Sequence, residues 1–138
     1  MYHRIYKAYS SLTKGEKADL KRCNLIKIAD SSAYFRVLKY SGLPDSFQTI
    51  RILYLLMAVD IKQTAEAQSV AKALLNAGVK ENKIIQIVRS GDNGIEYLKR
   101  QLVRCENVQL DSLGEIAQYW GDNVRRRLLK DFILASEN

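Results

Sequence analysis

Apolar residues recur at helical spacing along almost the whole of this 138-residue sequence. Tyr2, Tyr6, Tyr9 and Leu12 step by three or four positions, so they share one face of a helix. Lys14-Gly15 reads as the stop of that helix, and Glu16 to Asn24 as a second, strongly basic one. Ser31-Ser32 offers an N-cap ahead of Tyr34, Phe35, Val37 and Leu38, with Gly42-Leu43-Pro44 as terminator. Asp45 or Ser46 can cap the next segment, predicted to run as helix to about Ile61. Its middle is apolar on every side apart from Arg51, the pattern of a buried central helix.

The second half continues in the same period. Thr64, Ala67, Val70, Ala71, Leu74 and Leu75 outline an amphipathic helix closed by Gly78 just beyond its C-cap. Ile84, Ile85 and Val88 form a short helix stopped by Gly91-Asp92-Asn93-Gly94, and Ile95, Leu98, Leu102 and Cys105 resume the spacing. Asp111 or Ser112 can cap Leu113 to Trp120, Gly121 breaks the run, and Asn123 to Leu134 is the last helix. No stretch alternates apolar and polar residues for long enough to predict a sheet. The expected fold is therefore all-α, a compact multi-helix bundle. A chain of this length forms one domain, residues 1–138, the alternative being two small lobes at about 1–78 and 79–138.

Charge changes the picture by its distribution. The formal net charge is +7, which points to a polyanionic partner. Residues 1–40 hold nine Lys/Arg against three acids, residues 41–78 hold three of each, and residues 79–138 hold ten bases and nine acids. An excess concentrated in one third predicts a patch rather than a diffuse halo. The longest apolar run, Ile52 to Val59, is far short of the ~20 residues that span a bilayer. Arg4 and Lys7 stand where a signal peptide would need an apolar core, so a soluble, cytoplasmic protein without membrane contact is expected.

Candidate chemistry is sparse. Two cysteines, Cys23 and Cys105, and one histidine, His3, supply no zinc set and no disulfide framework, so no metal or other cofactor is expected. Pro44-Asp45 followed by Asp60-Ile61-Lys62 spells the carboxylate-and-lysine string of metal-dependent nucleases. Helical spacing would point Asp60 and Lys62 about 200° apart, which argues against that chemistry. Gly91-Asp92-Asn93-Gly94 lacks the Lys-Ser/Thr of a phosphate cradle and reads as a turn. No catalytic residue is therefore assigned. Basic residues do collect on predicted helices: Lys17, Lys21 and Arg22 on the second, then Lys99, Arg100 and Arg104 on a later one. Like charges at i,i+4 cost a few tenths of a kcal/mol, and an anionic ligand offsets that cost. Arg125, Arg126 and Arg127 spread over ~200° of a helix, so one or two can meet an anion while another pairs with Asp122 or Asp131. The spacing of Tyr2, Tyr6 and Tyr9 favours core positions over base stacking.

Trp120-Gly121, then Arg125, then Leu128-Leu129-Lys130-Asp131-Phe132-Ile133-Leu134 resembles the ending of the CasB family, the small subunit of the type I-E CRISPR Cascade complex. Ala73-Leu74, Gly78, Ile84, Gln86-Ile87-Val88-Arg89 and Leu98-Lys99-Arg100-Gln101-Leu102 are similar to a central block of that family. Gly15 with Leu20-Lys21-Arg22, and Ala33-Tyr34-Phe35-Arg36, resemble its N-terminal segments. The resemblance implies a non-catalytic helical subunit of a crRNA-guided antiviral complex, present as two copies beside the Cascade backbone and large subunit. It implies sequence-independent contact with single-stranded R-loop DNA, chiefly the displaced strand, and with crRNA as a further candidate. The basic positions that carry over are Lys21, Arg22, Arg89, Lys99, Arg100 and Arg125. Asp92 and Asp122 depart from the family, which often has bases there. The alternative is a helical scaffold that touches nucleic acid little.

Overall fold

The computed structural model describes residues 1–136; Glu137 and Asn138, the end of the predicted domain, lie outside the described residues. Among the described residues there are nine α-helices: α1 (Tyr2–Ser10), α2 (Lys14–Arg22), α3 (Ser32–Ser41), α4 (Phe47–Leu56), α5 (Val70–Asn76), α6 (Glu81–Arg89), α7 (Gly94–Leu102), α8 (Leu110–Gln118) and α9 (Asp122–Ser136). Short 3₁₀ turns fill Lys27–Asp30 and Gly91–Asn93. The chain is an all-α bundle, as its periodicity predicts.

Local chemistry explains where the helices begin and end. Thr13 and Glu16 form a capping box, each side chain taking the backbone N–H of the other. Gly15 is consequently in the first turn of α2 and does not end α1, a correction to the predicted boundary. The Thr13 backbone N–H, with help from the Thr13 hydroxyl and Arg36, holds the Glu16 carboxyl below its ordinary value. A lowered folded-state value means that this contribution is present at neutral pH and is lost as pH falls through it. Arg36 of α3 lies 2.7 Å from Glu16, which ties α2 to α3. Ser31 caps α3, Ser46 caps α4 and Ser69 caps α5. At the end of α5 the Val79 N–H reaches Leu74 O and the Gly78 N–H reaches Leu75 O, a Schellman closure with Gly78 at φ 84°.

α4 is the centre of the core. Thr49, Ile50 and every residue from Ile52 to Leu56 are buried in it, and it packs on α8 and also meets α1 and α7. Each large apolar side chain buried there contributes about 1.5–3 kcal/mol. Arg51, its one charged member, is half-buried and donates from Nε to Ala117 O at 2.8 Å and from Nη2 to Gln118 O at 2.6 Å. It therefore satisfies the orphan carbonyls at the C-terminus of α8. α5 packs on α9 and α6 on both α7 and α9.

Several predicted boundaries fail after α4, among them the start of α5, which is Val70 and not Thr64. α4 itself ends at Leu56 rather than near Ile61, and Ile61–Lys62 is a short strand, β1. It pairs in parallel with β2 (Val108–Gln109), Ile61 opposite Val108 and Lys62 opposite Gln109. The pair is two residues long, too short for alternation to register in a sequence. α8 likewise starts at Leu110, ahead of the predicted caps. The Ser112 hydroxyl instead accepts the Val70 N–H at 3.0 Å, the first amide of α5.

Cys105 is buried, and burial pushes its thiol up to about 11. Cys23 is partly exposed. The folded chain at pH 8 is expected to react rapidly with a thiol reagent at Cys23 alone, Cys105 reacting only after unfolding. Two equally fast thiols in the native chain would contradict the packing around Cys105.

Candidate nucleic-acid interface

The six basic residues singled out from the sequence divide into two groups. Lys21 and Arg22 stand in the last turn of α2, both exposed. Arg22 donates to Asp19 at 3.0 Å, with side chains 75% and 63% exposed. Such a surface pair is worth at most about 1 kcal/mol, so phosphate can displace the carboxylate. Arg89, in the last turn of α6, is exposed, and so is Arg100, whose guanidinium lies 5.5 Å from the centre of the Tyr97 ring. These four can reach a ligand from the surface.

Lys99 and Arg125 face inward. The Lys99 ammonium sits 3.9 Å from the centre of the Tyr54 ring, and burial lowers its pKa. It joins α7 to α4. Arg125 is only 9% exposed. Its guanidinium donates to Asp122 at 2.6 Å and to Trp120 O at 3.4 Å, and it lies 3.6 Å from Asp92. The two acidic departures from the family pattern, Asp92 and Asp122, are therefore the counter-ions of this arginine. They join the turn before α7 to the start of α9. The sequence allowed one arginine of the triplet to pair with Asp122, and Arg125 is that one, so its reading as a phosphate contact is set aside here. Arg126 and Arg127 are exposed.

A cationic cleft was not predicted. The end of α5, the start of α6 and the end of α7 enclose about 310 Å³, lined by Lys80, Lys83 and Arg104 with Asn82 and Gln101 and no carboxylate. Arg104 lies past the end of α7, so it does not share the helix face with Arg100 that its spacing suggested. It is anchored by hydrogen bonds to Ala77 O and Gln101 Oε1, each 3.2 Å, and Lys83 Nζ donates to Gln86 Oε1 at 3.2 Å. Among the described residues none of the three cations forms an ion pair. Three cations lining one cleft, none of them in an ion pair among the described residues, suit a polyanion. Lys80 and Lys83 are legible in the sequence as a helix-start pair, but their meeting with Arg104 depends on how α6 and α7 fold together.

The nuclease-like string is dispersed. Because Lys62 is in a strand, helical spacing no longer separates it from Asp60, and that reason for setting the chemistry aside does not hold. Other geometry does so. Asp45 precedes and Asp60 follows the ten-residue α4, a helix about 15 Å long. Asp60 Oδ2 accepts the Asn107 N–H at 3.0 Å, Asp45 accepts from the Tyr34 hydroxyl at 2.8 Å, and Lys62 lies 3.7 Å from Glu66. The two carboxylates lie beyond opposite ends of α4 and are engaged by separate partners. Among the described residues no three His, Cys, Asp or Glu side chains gather to hold a metal. A concavity of about 550 Å³ between α5, α8 and α9 has mixed charge, with Glu115, Asp131 and Arg127 in its wall. Among the described residues no helix is long and apolar enough to cross a membrane.

No family model matches the sequence, and no curated protein matches it significantly. Among solved structures, the fold is similar to a chain of Escherichia coli Cascade bound to a PAM-containing double-stranded DNA target. The TM-score is 0.84 at 26% identity, over 97% of this chain and 95% of that one. The likeness supports the architecture of a Cascade subunit.

Proposed function

We propose that this chain is the small, non-catalytic subunit of a crRNA-guided surveillance complex and that it stabilises the R-loop by holding nucleic-acid backbone through charge. The observation that carries the reading is the likeness, along nearly the whole of both chains, to a component of Cascade bound to target DNA. The distribution of charge supports it independently. Lys21, Arg22, Arg89 and Arg100 are exposed, and Lys80, Lys83 and Arg104 line a cleft without a carboxylate. Lysine and arginine meeting phosphate release counterions, which gives affinity without regard to sequence. R-loop formation is close to balance between the duplex lost and the heteroduplex gained, so a few such contacts can tip it. The partners in this reading are the complex's backbone and large subunits, a second copy of the chain, the displaced DNA strand and crRNA.

The test is a salt titration of single-stranded DNA binding by the full chain on two unrelated sequences. Equal affinities with a slope of about −0.7 per phosphate contact are expected. Absent or salt-independent binding would favour the scaffold reading, in which Lys99 and Arg125 illustrate cations spent on the fold itself, and a strong preference for one sequence would overturn the backbone-binding reading without supporting the scaffold.

A further inference from the structure

We propose that a second cleft, between α1 and α3, binds one nucleotide of a single strand by stacking its base on Tyr40 while Arg4 and Lys7 hold the adjoining phosphates. The cleft encloses about 290 Å³ and is lined by Arg4, Lys7 and Ser11 from the α1 side and by Tyr40 and Ser41 from the end of α3. It holds two cations and an aromatic ring without any carboxylate. Arg4 and Lys7 are one turn apart on α1, both exposed, and among the described residues neither forms an ion pair. Tyr40 is 50% exposed, unlike its buried neighbour Tyr34. Its ring is therefore spared from the core that absorbs Tyr34 and Tyr9.

The backbone at the mouth makes room for this arrangement. Gly42 caps α3 in the left-handed region at φ 71°, and a methyl group there would come within 2.8 Å of Arg4 Nη2. Glycine at this position both accepts the helix-ending conformation and leaves Arg4 its place against the end of α3. Ser41 is buried and its hydroxyl accepts the Leu43 N–H, so the wall behind the ring is fixed. A ring beside two unneutralised cations suits an unpaired base with its phosphates, because any base offers a face to stack. Bases inside a duplex do not, so the site selects single strands. An acidic peptide would use the cations and leave the ring idle.

This inference rests on the proposed contact with nucleic acid, and its test separates the two. The full chain is titrated with a thymidine oligonucleotide and with the same strand made abasic throughout. Tyr40→Ala should weaken binding of the thymidine strand about tenfold and leave the abasic strand unchanged. Tyr40→Phe should behave as the unmutated chain on both. Arg4→Ala with Lys7→Ala should weaken both strands and make the salt slope shallower by about 1.4. Running the same strands as RNA separates the two sugar types, and a Tyr40 effect confined to stacked bases in either supports the site. Irradiating an iodouracil-substituted strand should crosslink it to Tyr40. No Tyr40→Ala effect on the thymidine strand, or equal losses on both strands, would overturn the stacking site while leaving backbone binding intact. If the unmutated chain bound neither strand, the nucleic-acid reading itself would fall and this site with it.

Discussion

Replacing Gly94 by alanine is expected to destabilise the chain by about 3 kcal/mol or more, measured as a shift in the denaturant midpoint. Gly94 opens α7 and is buried. A Cβ there would overlap the carbonyl oxygen of Ile87, a backbone atom of α6 that cannot rotate aside. On the other side it would press on Trp120 Cζ2 at 3.1 Å. Trp120 has little freedom to yield, because it is 5% exposed and its Nε1 donates to Gly91 O at 3.0 Å. The same substitution at Gly15 should have the opposite sign. Its nearest neighbour would be Thr13 Oγ1 at 3.9 Å, in the first turn of α2, so alanine can add up to about 1 kcal/mol of helix preference. Similar effects at the two positions would contradict the close approach of α6 and α7. That approach also brings Lys80 and Lys83 towards Arg104.

The second large effect is expected in binding. Converting Lys80, Lys83 and Arg104 together to alanine should make the salt slope for single-stranded DNA shallower by about two units, three contacts at about 0.7 each. Extrapolated from 1 M salt, that is a loss of about a hundredfold in affinity at 0.1 M. All three side chains are exposed, so the fold should remain. Arg125→Ala should do the reverse. It removes the partner of Asp122 and Trp120 O, so the unfolding midpoint should fall while the salt slope stays unchanged. A slope that responds to Arg125 and ignores the cleft would invert the assignment of structural and ligand-facing cations.

How far the sequence could be read follows from the range of each interaction. Helices are legible where a face of apolar residues and a local cap coincide, as at Ser31 with Gly42, whereas the helix closed by Gly78 starts at Val70 behind a Ser69 cap and not at Thr64. Boundaries went astray where the deciding partner is remote or the element is brief. Asp60 to Gln109 shows this, since β1 exists through pairing with a strand more than forty residues away. Ser112 was read as the cap of its own helix, yet it serves the first amide of α5. The candidate site behaved the same way. Exposed Arg22 and Arg100 agree with a local count of charge, whereas Lys99 looks identical in sequence and is drawn inward by Tyr54, and the sequence allows a pair with Asp122 without saying that Arg125 makes it. Neither cationic cleft could be foreseen, because Arg104 meets Lys80 and Arg4 meets Tyr40 only through the packing of helices. One lone charge did carry a readable signal: Arg51, in an otherwise apolar helix, is the residue that closes α8.

In the proposed function, surface charge on this chain stabilises an open R-loop without taking part in assembly. The most direct measurement is the lifetime of the R-loop in the assembled complex carrying Arg22→Ala/Arg100→Ala in this subunit. Avidity within the complex makes a weak contact measurable there. A shorter lifetime with normal guide loading and subunit stoichiometry, to a similar degree on unrelated targets, is the predicted result. Failure of the complex to assemble, or an unchanged lifetime in a complex that also carries the Lys80, Lys83 and Arg104 substitutions, would contradict it.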